Sequence, residues 1–113
     1  ALQRMPLVET SYRVRWGAMR RDPATGVYRV RGRVVNTGAP VAGPVALVVR
    51  LPQGVELVNR TGMSLFEAGI AYTILTEGNW LPGEVLEFEW HLRASNPRFF
   101  PPKVEVRAGV GAL

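Results

Sequence analysis

The 113-residue chain has no cysteine and a single histidine, His91. Disulfides, thiolate metal sites and cysteine nucleophiles are therefore excluded. One imidazole with no thiolate cannot furnish the ligands of a zinc or copper site. Aspartate and lysine are as scarce as histidine, each occurring once, as Asp22 and Lys103. A calcium site wants clustered carboxylates, and an isolated Asp22 in a turn does not supply them. Nor is there a glycine-rich phosphate loop, because Gly109-Val110-Gly111 has no helix after it. No apolar run approaches the ~20 residues of a membrane-spanning helix. The expectation is a chain with no metal, no cofactor, no catalytic residues and no membrane span.

What the chain does contain is apolar residues and arginine. Hydrophobic residues make up 47% and charged residues 20%, at a mean hydropathy of +0.04. That mixture folds around a core instead of staying disordered, and the length predicts one domain over residues 1–113, with 1–9 as an extended arm. Thirteen arginines and one lysine face eight glutamates and one aspartate, giving a net charge of +5 and a pI near 10.7. A basic balance points to acidic partners, whether nucleic acid, anionic glycan or protein. Sixteen valines against two isoleucines, beside arginine over lysine, also match the output of a GC-rich gene, so position decides more than count.

Periodicity defines the class. In residues 12–20, Tyr12, Val14, Trp16 and Ala18 alternate with Arg13, Arg15, Gly17 and Met19, the pattern of a half-buried strand. Asp22-Pro23-Ala24-Thr25-Gly26 makes a turn. Tyr28, Val30, Gly32 and Val34 then alternate with Arg29, Arg31 and Arg33, completing a hairpin. Further alternation at Val45–Leu51, Val55–Val58, Ile70–Ile74, Leu86–Leu92 and Val104–Val106, with turn residues between, gives seven short strands and no useful amphipathic helix. The predicted fold is all-β, a seven-stranded antiparallel immunoglobulin-like β-sandwich. Its inner face is expected to hold Val14, Trp16, Val30, Val34, Leu47, Val49, Ile70, Tyr72, Ile74, Leu86, Phe88, Trp90, Leu92, Val104 and Val106.

Three turns carry a resemblance: Val34-Val35-Asn36-Thr37-Gly38, Leu51-Pro52-Gln53-Gly54-Val55 and Leu81-Pro82-Gly83-Glu84. Over roughly residues 25–108 the chain resembles the bacterial cell-surface sandwich repeats of the DUF11 and CARDB groups. The resemblance implies a non-catalytic structural or protein-interaction module of an exported, cell-envelope protein. Its partners would be another protein or neighbouring domains of the same assembly. An extracytoplasmic location (periplasmic, cell envelope or secreted) is the expectation from the resemblance and the absent initiator methionine. The motifs are turn chemistry, which specifies a fold better than an activity.

Two surfaces stand out. Strand alternation gathers Arg13, Arg15, Arg29, Arg31 and Arg33 on one outer face, with Met19 expected opposite Arg29 and Arg15 opposite Arg33. No counter-charge is expected beside them, since the strand holding Ala71, Thr73 and Leu75 offers none. Glu87 and Glu89 are expected on the other sheet, with Arg50, Arg93, Lys103, Glu105 and Arg107. Guanidinium forks bind carboxylate or phosphate, so an acidic protein face is one ligand class and an anionic polymer (nucleic acid or acidic glycan) is the alternative. The second surface is a loop tip with Phe99 and Phe100, which serves either as a contact anchor or as a plug in the open end of the core. His91 lies among Glu87 and Glu89 on a polar face, without the convergent groups that a general base needs. Asn59-Arg60-Thr61 has the spacing of a glycosylation acceptor.

Overall fold

A computed structural model describes residues 2–96, 98 and 100–113. Among the described residues nine strands follow one another: β1 (Tyr12–Trp16), β2 (Arg20–Arg21), β3 (Tyr28–Asn36), β4 (Val45–Arg50), β5 (Val55–Leu57), β6 (Gly62–Met63), β7 (Ile70–Thr76), β8 (Val85–Ala94) and β9 (Val104–Ala108). They form two antiparallel sheets, β1-β3-β8-β5 with β2 continuing the β1 edge of β3, and β6-β7-β4-β9. The layers enclose one apolar cluster, which is a β-sandwich arrangement. The count is nine against the seven expected, and two of the nine are only two residues long.

Strand order also differs from the immunoglobulin layout, in which the penultimate strand shares a sheet with the last. Here β8 lies between β3 and β5, in the sheet opposite β9, and β7 takes the place beside β4. The crossing between them is pinned at Trp80, which exchanges both backbone hydrogen bonds with Val41. Trp80 is fully buried and donates its indole N–H to the Glu84 carbonyl at 2.9 Å. The Leu81-Pro82-Gly83-Glu84 turn thus wraps around a core side chain. Gly83 at φ 82° supplies the left-handed residue this turn requires.

The core is aromatic at its centre. Trp16, Phe88 and Trp90 meet at ring separations of 5.3–5.5 Å, and Phe100 joins Trp16 at 5.4 Å. Gly32 lies in β3 opposite Phe88, because a Cβ there would fall 2.2 Å from the ring tip. Around these rings Val30, Val34, Val45, Leu47, Leu57 and Leu92 are buried almost completely. Each such aliphatic side chain contributes roughly 1.5–3 kcal/mol on leaving water.

The inner-face expectation fails at β7. Ala71 belongs to the core cluster, Leu75 packs against it, and Thr73 accepts the Trp90 indole N–H at 3.0 Å. Ile70, Tyr72 and Ile74 therefore point to the other side of the sheet, reversing the expected assignment. A tryptophan needing a polar partner inside the sandwich selects the threonine-bearing face. The displaced residues share the outer side with Ala46 and Val48, at positions paired Ile74 to Ala46 and Tyr72 to Val48.

The N-terminal segment is extended and docked. Met5 N–H donates to Ala112 O, Val8 N–H to Val106 O, and Ala108 N–H to Pro6 O, so the segment runs along β9. Met5 is 3% exposed. The chain then crosses to the opposite sheet and enters β1. Covering the β9 edge in this way protects backbone groups that would otherwise template pairing.

Candidate interaction face

The outer face of the β1-β3-β8-β5 sheet is built by alternation. In β3, Arg29, Arg31 and Arg33 are exposed while Val30, Gly32 and Val34 are buried. In β1, Arg13 pairs with Val35 and Arg15 with Arg33, which puts both on the same outer side. All five expected arginines therefore share one face. The structure adds a sixth. Trp16 pairs with Gly32 but Arg20 pairs with Arg29, so residues 17–19 oppose only 30–31. This bulge shifts the alternation by one. Met19, expected opposite Arg29, instead packs against the core, and Arg20 takes the outer position. An isolated glycine within a strand pattern is a bulge signal, and Gly17 is that signal in this sequence.

The expectation of an unneutralised face is corrected by β8. Since β8 and not β7 neighbours β3, Glu87 lies opposite Arg33 and Glu89 opposite Arg31. Arg33 Nε is 3.5 Å from Glu87 Oε1, and Arg31 Nε is 3.5 Å from Glu89 Oε1. Arg29 reaches Asp22 at 3.7 Å. Glu87 and Glu89 thus belong to the arginine face, as does Arg93, which pairs with Glu56 of β5 at 2.7 Å. Among the described residues, no carboxylate lies within ion-pair distance of Arg13, Arg15, Arg20 or Arg21. The face is therefore graded, with a mixed-charge middle on β3 and β8 and a cationic rim on β1 and β2.

His91 Nε2 stands 3.0 Å from Glu89 Oε2. Its hydrogen bond, joined by its charge and by Arg31, holds the Glu89 carboxyl below the usual carboxylate range against the opposing effect of desolvation. Two open clefts adjoin at Gly17, Arg31 and Glu89. One, of about 580 Å³, is bounded by Arg15, Arg33 and Glu87. The other, of about 600 Å³, is bounded by Arg20, Arg29 and Asp22. Guanidinium and carboxylate groups line both, and Trp16 and Phe88 also line the first. Tyr12, Trp16 and Tyr28 pack against the core, so the hairpin's aromatics form no stacking platform on this face.

Other expected sites resolve differently. Phe99 lies outside the described residues. Phe100 is half-buried with its ring on Trp16, the position of a core plug and not of a loop anchor. Arg50 pairs with Glu67 on the opposite sheet. Arg107, expected on an outer surface, is 9% exposed, donates to Met5 O at 2.7 Å and sits 3.6 Å from Glu105. Asn59 uses its carboxamide on β8, accepting from His91 N–H at 2.8 Å and donating to Glu89 O at 2.9 Å. A residue so engaged extends the β5–β8 pairing. Among the described residues, no group of three His, Asp or Glu side chains is placed to hold a metal ion. Comparison of the chain with family models, characterised proteins and solved structures found no match.

Proposed function

We propose that the chain is a non-catalytic interaction module that docks an acidic protein surface on its arginine face. The observation carrying this reading is the graded charge: among the described residues Arg13, Arg15 and Arg20 are without carboxylate partners beside the paired row of Arg31–Glu89 and Arg33–Glu87. A polyanion would meet Glu87 and Glu89 unfavourably, whereas a protein face can set cations opposite them. Charge patterns of this kind set association rate and partner choice more than raw affinity. The lack of an outward aromatic platform also favours protein over single-stranded nucleic acid.

In this reading residues 1–113 form one domain, immunoglobulin-like in its layering though not in its strand order. It belongs to an exported, cell-envelope protein, a reading supported by the resemblance of the Asn36-Thr37-Gly38 and Leu81-Pro82-Gly83-Glu84 turns to those of cell-surface repeats. The test is titration with an acidic peptide, heparin and duplex DNA at low and physiological salt. Retention of peptide binding with negligible heparin or DNA binding at physiological salt supports the reading. Tighter binding to heparin or DNA, with the steep salt slope of counterion release, overturns it in favour of the polymer alternative.

A further inference from the structure

The arginines without a carboxylate partner among the described residues lie along a sheet edge, where β1 pairs, among those residues, only with β3. In an antiparallel ladder, residues alternate between those whose backbone groups face the neighbour and those whose groups face away. Gly17 N–H donates to Arg31 O and Thr37 N–H donates to Ser11 O. With the register Arg13–Val35 and Arg15–Arg33, these two bonds fix Arg13 and Arg15 as the residues bonded to β3. Tyr12, Val14 and Trp16 then direct their N–H and C=O groups off the edge. Among the described residues, no hydrogen bond to those groups is formed by loop, arm or side chain.

We propose that this edge accepts an extended acidic segment of the partner protein as an added strand beside β1. The proposal rests on the arginine-face reading and names its mode of binding. A strand added about 4.8 Å from β1 would place alternate side chains on the outer face, level with Arg13 and Arg15. Carboxylates at those positions would meet the two guanidinium groups that have no acid of their own. The intervening side chains would lie beside Tyr12, Val14 and Trp16, which are half-buried and apolar on the inner side. The occupant is thus a segment alternating acidic with β-branched residues. Main-chain bonds of this sort supply affinity while side-chain alternation supplies specificity. A second copy of β1 is disfavoured, since its own arginines would stand against Arg13 and Arg15. The bulge at residues 17–19 ends the pairing surface after Trp16.

The test uses the full chain, isotope-labelled, with a short peptide alternating glutamate and valine and a control peptide carrying lysine for glutamate. Slowed amide exchange at Tyr12, Val14 and Trp16 on adding the acidic peptide, and none with the basic one, is expected. Val14→Pro removes an outward N–H and leaves the Arg13 and Arg15 bonds to β3 in place. It should weaken the acidic peptide roughly tenfold, the equivalent of one lost hydrogen bond. If that variant does not fold, amide exchange in the unaltered chain decides. Peptide binding that is sensitive to Arg13 and Arg15 but leaves the three amides unprotected overturns strand addition while the arginine-face reading survives. Failure of the acidic peptide to bind at low salt overturns both.

Discussion

Arg31 and Glu89 stand directly opposite each other on β3 and β8, with Arg31 Nε 3.5 Å from Glu89 Oε1. This pair, repeated one row along by Arg33 and Glu87, turns the middle of an arginine-rich sheet into a mixed-charge surface. From the hairpin alone, reversing Arg31 and Arg33 to glutamate would relieve like-charge crowding. With β8 in place the same reversal sets two new carboxylates against Glu89 and Glu87. The double change Arg31→Glu, Arg33→Glu is therefore expected to lower the melting temperature. An unchanged or raised melting temperature in a calorimetric scan would count against the observed register.

Acidification should act through the same pair. The Glu89 carboxyl is held below its ordinary value of 4.5, first by its hydrogen bond to His91 and then by the charges of His91 and Arg31. A carboxyl depressed in the folded state contributes stability above the ordinary carboxylate range, and that contribution is lost as pH falls through the folded value. Stability measured by urea denaturation should decline on acidification below the ordinary carboxylate value, and Glu89→Gln should flatten that part of the profile. The effect is small because the group is solvated. A profile unchanged by Glu89→Gln would contradict the assignment.

Asn36 is 1% exposed and donates from Nδ2 to Ala39 O at 2.8 Å and to Trp80 O at 3.1 Å, while Oδ1 accepts from Gly38 N–H at 2.9 Å. It ties the turn after β3 to the crossing at Trp80. Asn36→Ala should cost about 3 kcal/mol, from three bonds at roughly 1 kcal/mol each. Asn36→Asp should cost more at neutral pH, as a carboxylate would face two carbonyl oxygens. Equal stability of Asn36→Asp and the parent would refute this account of the turn.

Gly32→Ala tests the aromatic centre. A methyl group there would lie 2.2 Å from Phe88 Cζ, so the ring must move against Trp16 and Trp90. Overpacking of this kind costs roughly 1–3 kcal/mol. Denaturation should show the loss, and near-ultraviolet dichroism should report the displaced rings. A neutral substitution would mean that the ring stack is looser than described.

The all-β class and most of the inner face were legible because valine, leucine and aromatic residues alternate cleanly in β1, β3, β4 and β8. The arginine face was legible for the same reason. Two features were not, and each has a local cause. In β7 both alternating sets are acceptable to a core. The choice was made by the Trp90 indole, which needs Thr73, a long-range requirement that no window of β7 contains. Sheet partnership was the other. Whether β7 or β8 lies beside β3 depends on how the chain crosses at Trp80 and Val41, and turn motifs do not encode the side on which a strand is laid down. The counter-charges Glu87 and Glu89 followed from that single choice. Arg20 was hidden by the bulge, which alternation counted through as if it were regular strand.

In the proposed function the cationic rim of β1 and β2, and not the net charge of +5, captures an acidic partner. The direct measurement is the affinity of the glutamate–valine peptide for two charge-matched variants at low salt. Arg13→Glu with Arg15→Glu alters the rim, while Arg50→Glu with Lys103→Glu alters exposed cations on and beside the opposite sheet. The rim variant should lose affinity several-fold and the opposite variant should bind as the parent does. Equal loss in both would show that overall charge alone governs binding, and the arginine face would not be a site.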